Sequence, residues 1–198
     1  MKQKVLVLHG FNSSPLSFKA QLLIDYINAN FPNVDVVCPQ LMSDPINAIE
    51  QITDIIEQDK NCSWYVTGSS LGGYFANYLV DKFKIPAVLI NPAVKPYEIL
   101  TDVIGPQTNP YTDEHYIVTE QHLQQLKEFE RDVAIDDRYL VLVQTGDEVL
   151  DYRQAVEKYE NYDVIVQRGG DHSFIDFDKM LPDIVKFFQL ENNGVSSH

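Results

Sequence analysis

Six short apolar runs constrain what this chain can fold into. They are "KVLVLH" at 4–9, "VDVVC" at 34–38, "SWYVT" at 63–67, "AVLI" at 87–90, "YLVLVQ" at 139–144 and "DVIVQ" at 163–167. Each is too short for a core helix and rich in β-branched or aromatic residues, so each reads as a strand. Between them, apolar residues recur every three or four positions: Ala20, Leu23, Ile24 and Ile27, then Ile46, Ile49, Ile52 and Ile56, then Leu71, Phe75 and Leu79. Tyr152, Ala155, Val156 and Tyr159 form a similar face, as do Leu181, Ile184, Val185 and Phe188. Strands apolar on both faces, alternating with helices, need cover on both sides. The expected fold is α/β: a mostly parallel six-stranded sheet with helices on both faces. Ser14 and Pro15 suit the N-cap and first position of the first helix.

With 198 residues and no internal repeat, the chain is expected to form one domain over 1–191, with 192–198 as a frayed tail. Residues 94–137 depart from the alternation. They hold Pro96, Pro106, Pro110 and the polar, aromatic "NPYTDEHY", with one helix expected from about Thr119 to Glu130. This stretch is a candidate lid or insertion.

The net charge of −14 argues against nucleic acid or an anionic membrane surface as a partner. Two cysteines, Cys38 and Cys62, without a C-x-x-C spacing, offer no metal or redox motif. No cofactor and no metal are expected. The apolar run near Met1 is shorter than a signal-peptide core, no run is long enough to span a membrane, and the expected location is the cytoplasm.

Ligands of parallel sheets bind beyond the carboxyl ends of the strands. There the chain places His9-Gly10-Phe11-Asn12, Ser70, Thr145-Gly146-Asp147 and Gly169-Gly170-Asp171-His172. Ser70 lies in "GSSLG", a G-x-S-x-G sequence between a strand and a helix, the setting of a nucleophile elbow. Two glycines in a first helical turn cost about 1 kcal/mol each relative to Ala, which points to a backbone too crowded for side chains. A serine needs a base. Of the histidines that follow Ser70, His115 and His122 precede the strand-end carboxylate and His198 lies in the tail, which leaves His172. His9 is read as shaping the loop after the first strand. Asp147 is the preferred acid, with Glu148 and Asp151 as rivals and Asp171 as a turn residue. Leu71 N–H and an N–H from the first loop, Phe11 ahead of Asn12, would form the oxyanion hole. Tyr97, Tyr111 and Tyr116 are candidates for an acyl pocket.

"LHGFNSSP", "GSSLGGYFA", "INPAVKPYE", "NPYT", "QTGDEVLDYRQAV" and "GGDHSF" together resemble the YqiA/YcfP-type esterases. The resemblance runs from about Val5 to Phe188. It implies a compact α/β-hydrolase fold lacking the first two strands of larger members, and hydrolysis of carboxylic esters or thioesters. By motif it assigns the nucleophile to Ser70, the acid to Asp147 and the base to His172. The expected partner is a small acyl ester or thioester. The alternatives are a binding or regulatory module on a hydrolase fold, or the same triad acting as a peptidase or transferase.

Overall fold

A computed structural model describes residues 1–192. The tail expected at 192–198 falls, but for its first residue, outside the described residues. Along the chain run β1 (Gln3–Leu8), α1 (Phe18–Asn30), β2 (Asp35–Val37), α2 (Pro45–Glu57), β3 (Ser63–Ser69), α3 (Leu71–Phe83) and β4 (Ala87–Ile90). Then follow α4 (Pro96–Ile99) with a 3-10 turn (Leu100–Val103), β5 (Gly105–Thr108), β6 (His115–Val118) and α5 (Glu120–Glu128). The chain continues through β7 (Tyr139–Gln144), α6 (Tyr152–Lys158), β8 (Asp163–Gln167), a 3-10 turn (Phe177–Met180) and α7 (Leu181–Phe187). All six expected strands form one sheet in the order β2-β1-β3-β4-β7-β8. Every pairing in it is parallel.

That order decides where a site can be. The chain steps outward from β1 to β2, then crosses back over β1 to β3 and continues the other way. Right-handed crossovers put connections running in opposite directions on opposite faces. Ala20, Leu23 and Ile27 of α1 accordingly pack with Val5, Val7, Val88 and Ile90, together with Ile184 of α7. Ile49 and Ile52 of α2 and Phe75 and Leu79 of α3 pack with Leu6, Leu8, Val66 and Leu89 on the other face. Successive residues of β1 thus feed opposite cores, as the period of two requires. Helices on both sides diverge beyond the ends of β1 and β3, leaving a crevice at the switch point. The register sets Leu8 beside Gly68 and Ser69 beside Ile90, so three strands end level at this crevice.

Two local features differ from the sequence expectation. First, α1 begins at Phe18, not at Pro15. The Ser14 hydroxyl accepts the Leu16 N–H at 2.9 Å, closing a turn ahead of the helix in place of capping it. Second, the 94–137 stretch contains α4 and an antiparallel β5–β6 hairpin. Both strands are short and largely exposed, so no apolar run announces them.

The same stretch is tied to α3. Tyr74 Oη donates to the Leu126 carbonyl, and Asn77 Nδ2 donates to the Arg131 carbonyl at 2.9 Å. Asn77 Oδ1 also accepts the Tyr139 hydroxyl at 2.6 Å. Asn77 is 1% exposed, so its removal would leave the buried Tyr139 hydroxyl without its acceptor, while the Arg131 carbonyl would keep Lys158 Nζ as a donor. Asn77→Leu is expected to lower the unfolding free energy by about 1–3 kcal/mol, read from the midpoint of urea unfolding at unchanged m-value.

Candidate active site

Ser70 alone joins β3 to α3. Its backbone sits at φ 55°, ψ −119°, a conformation that costs a non-glycine residue about 1–3 kcal/mol. Hydrogen bonds hold it there. Its N–H donates to the Ile90 carbonyl at 3.1 Å, and its carbonyl accepts the Gly73 and Ala93 N–H groups at 3.0 Å each. The turn leaves no room for side chains: a Cβ on Gly68 would stand 2.2 Å from the Gly72 carbonyl oxygen, and one on Gly72 would stand 2.3 Å from that of Leu8. The helix-weakening glycines are what allow α3 to start against the end of β1. Ser70 borders a cavity of about 500 Å³ that Leu71, Phe11 and His172 also line. Its hydroxyl makes no hydrogen bond among the described residues.

Asp147 follows β7 on a tight turn in which Gly146 N–H donates to the Gly169 carbonyl at 2.8 Å. Its side chain is 2% exposed, so its charge depends on local donors. Oδ1 accepts Val149 and Leu150 N–H at 2.9 and 2.8 Å, and Oδ2 meets His172 Nδ1 at 2.9 Å. Burial pushes the Asp147 carboxyl up, but the His172 contact and the two backbone donors outweigh it, and the carboxyl lies below its ordinary 3.8. With Nδ1 turned to this carboxylate, Nε2 is the imidazole nitrogen left for other chemistry.

The rival carboxylates have other partners. Glu148 Oε2 accepts the backbone N–H of His172 at 3.0 Å. Asp151 caps α6 through Arg153 N–H at 3.1 Å. The Asp171 carbonyl accepts Phe174 N–H in a turn. The other histidines are likewise placed. His122 completes a capping box with Thr119 at the start of α5, and His115 meets Thr108 on the exposed hairpin; His198 lies outside the described residues. His9 Nε2 accepts Leu41 N–H at 3.0 Å, which leaves Nδ1 to donate to the Gly10 carbonyl at 2.9 Å. Burial lowers its pKa against that second bond, so His9 is a neutral strut between the loops after β1 and β2.

Leu71 N–H is among the donors a helix start leaves without an intrahelical partner, and Phe11 N–H has none among the described residues. The Asn12 side chain is engaged with Gln107 and Tyr116. Of the three tyrosines, Tyr111 lines the cavity. Tyr97 lies outside it, bonded to the Glu130 carboxylate. Tyr116 lies behind the first loop, edge-on to Phe11. Among the described residues no group of three His, Cys, Asp or Glu is arranged to hold a metal, and no helix is long and apolar enough to cross a membrane.

A family model described as an uncharacterised protein family, UPF0227, matches residues 4–189. The chain belongs to that family, the YqiA/YcfP esterase family. Solved structures share its architecture. One is Est1E from Butyrivibrio proteoclasticus with bound ferulic acid, TM-score 0.72 at 15% identity, covering 96% of this chain and 89% of that one. Another is the monoacylglycerol lipase of Paleococcus ferrophilus, TM-score 0.70 at 16% identity, covering 95% of each. A third is mouse alpha/beta hydrolase domain-containing protein 10, TM-score 0.71 at 15% identity, covering 96% and 90%. The fold is that of the α/β hydrolases.

Two residues that hold the His172 loop are not among the sequence candidates, although both fall within the motifs "INPAVKPYE" and "QTGDEVLDYRQAV". Asn91 Nδ2 donates to the Asp171 and His172 carbonyls at 3.1 and 3.2 Å, while its Oδ1 accepts Gln144 N–H at 3.0 Å. Gln144 Oε1 accepts Asp171 and Ile175 N–H at 3.1 and 2.9 Å. Each side chain is 2% exposed. They earn their place by geometry alone, since an amide at a strand end reads as an ordinary turn residue.

His9 gives this region a pH signature. Its pKa is lowered in the fold and ordinary, near 6.5, in the unfolded chain. Its contribution is therefore complete above 6.5 and is lost as the pH falls toward the lowered folded value. The depressed Asp147 carboxyl acts in a separate window, below 3.8. In urea unfolding, the stability advantage of wild type over His9→Gln is expected to shrink between about pH 7 and pH 5. A pH-independent difference would contradict the neutral strut.

Proposed function

We propose that this protein is a serine hydrolase that cleaves carboxylic ester or thioester bonds through an acyl-enzyme. The observation that carries the proposal is the His172–Asp147 hydrogen bond, whose imidazole lines the same cavity as the strained Ser70. His172 Nε2 takes the Ser70 proton as Oγ attacks the acyl carbon. The developing oxyanion rests on Leu71 and Phe11 N–H, donors worth about 2.7–4 kcal/mol each in such sites. Collapse expels the alcohol or thiol with the proton from His172. Water then attacks the acyl-enzyme, with His172 as base, and the returned proton restores Ser70 as the acid departs. Asp147 stays ionised and holds the Nδ1–H tautomer throughout.

The cavity wall fits an acyl group. Pro96, Ile99, Leu100 and Val103, all from the 94–137 stretch, line it together with Phe18, Ala20 and Leu23 of α1. We read this stretch as the cap over the acyl chain, fastened to the body through α3. Cys38 and Cys62 are free thiols, which suits a reducing cytoplasm.

A fluorophosphonate probe is expected to label wild type and to leave Ser70→Ala unlabelled; labelling that survives would remove Ser70 as nucleophile. Asp147→Asn keeps an acceptor for Val149 and Leu150 N–H but turns an amide toward His172. It is expected to fold with a similar melting temperature and to lose about 10⁴-fold in kcat on p-nitrophenyl butyrate.

A further inference from the structure

We infer that Lys19 recognises an anionic substituent on the substrate, a single carboxylate or its equivalent, at the α1 wall of the cavity. The inference rests on the hydrolase reading above. Among the described residues Lys19 is the only Lys or Arg that lines the cavity, where its neighbours include Phe18, Ala20, Leu23 and Phe177. It is half-buried, and burial lowers its pKa against the more distant Asp171 and Asp147. Its Nζ donates to the Ser173 carbonyl at 3.1 Å. An ammonium has three donors, so two remain, and Lys19 forms no ion pair among the described residues.

The position is unfavourable for a cation on three counts. Lys19 is the second residue of α1, where the helix dipole repels positive charge, and the first turn carries no acidic residue to offset it. The cavity wall beside it is mostly apolar, and it forms no direct ion pair, Asp171 and Asp147 acting on it only at longer range. A tether to the Ser173 carbonyl needs only a neutral donor; a charge retained against these costs fits a ligand that brings the opposite charge. The overall −14 repels polyanions at longer range, so the fit is to one compact anion.

The test compares two matched pairs of esters. p-Nitrophenyl hydrogen glutarate against p-nitrophenyl pentanoate places the charge on the acyl arm. 3-Carboxyphenyl butyrate against 3-methylphenyl butyrate places it on the alcohol arm. In one pair, the charged-to-neutral ratio of kcat/KM is expected to fall about tenfold or more in Lys19→Met, through KM, and to recover in Lys19→Arg. Unchanged ratios in both pairs, or equal losses on charged and neutral members, would reduce Lys19 to a loop tether and overturn the inference. Titration calorimetry with glutarate and 3-hydroxybenzoate keeps the two proposals separable. If wild type turned over none of the four esters, the hydrolase reading would fail. Binding of either anion by wild type that is lost in Lys19→Met would still support the recognition site; binding by neither protein, or equally by both, would refute it.

Discussion

The close approach of α3 to the end of β1 is the contact on which the rest of the site depends. With the Leu8 carbonyl 2.3 Å from where a Gly72 Cβ would be, the helix can start there only without a side chain. That approach brings the orphan N–H groups of a helix start to the loop that follows β1. It also leaves Ser70 no ordinary backbone conformation. The strain is local and modest, about 1–3 kcal/mol, and the hydrogen bonds that Ser70 donates to Ile90 and accepts from Ala93 over-determine it. Sheet and elbow are therefore one construction: the end of β1 crowds the start of α3, and the end of β4 with the residues after it supplies the Ile90 carbonyl and Ala93 amide that hold the strained residue.

The opposite side of the cavity is held differently. His172 follows β8, an edge strand, and the turn that carries it does not lead directly into a helix. Its position is set by buried polar side chains reaching across strand ends. Asn91 at the end of β4 and Gln144 at the end of β7 bind the backbone on both sides of His172, while Glu148 takes its N–H and Asp147 its ring. Gln144 Nε2 is also used, donating to Gln167 Oε1 and to the Ile175 carbonyl at 2.9 and 2.8 Å. Buried amides this fully satisfied rigidify a loop, whereas one lost partner leaves the others unpaired at low dielectric. The nucleophile side is thus positioned by backbone crowding and the base side by a polar network.

This division explains what the sequence made legible. Apolar runs such as "YLVLVQ" and the periodic faces of α2 and α3 report burial directly, so the six strands and the sheet class follow from pattern alone. Candidate chemistry at strand ends is legible for the same reason, because a strand's end is where its apolar run stops. Other features depend on groups that meet only after folding. Ser14 could cap a helix or close a turn, and its hydroxyl took the Leu16 N–H. Tyr97 and Tyr116 lie in a stretch without periodicity, so composition suggested a pocket while Glu130 and Asn12 set their hydrogen bonds. Asn91 and Gln144 work through backbone atoms up to eighty-one residues away in sequence, and no local spacing encodes that.

The late start of α1 links these local departures to the cavity. Had the helix begun at Pro15, Lys19 would stand in its second turn, where an exposed cation is unremarkable in cost. The Ser14 turn moves the start to Phe18, so the second helical residue is a lysine at the repulsive end of the dipole, and the same turn carries Phe18 and Ala20 into the cavity wall. A structural lysine is more cheaply placed one turn later. Its location at the helix start, bonded to the carbonyl of the residue after His172, couples the wall of the cavity to the loop that carries the base. Charge placed there can act on whatever occupies the cavity and, through Ser173, on the position of the imidazole itself.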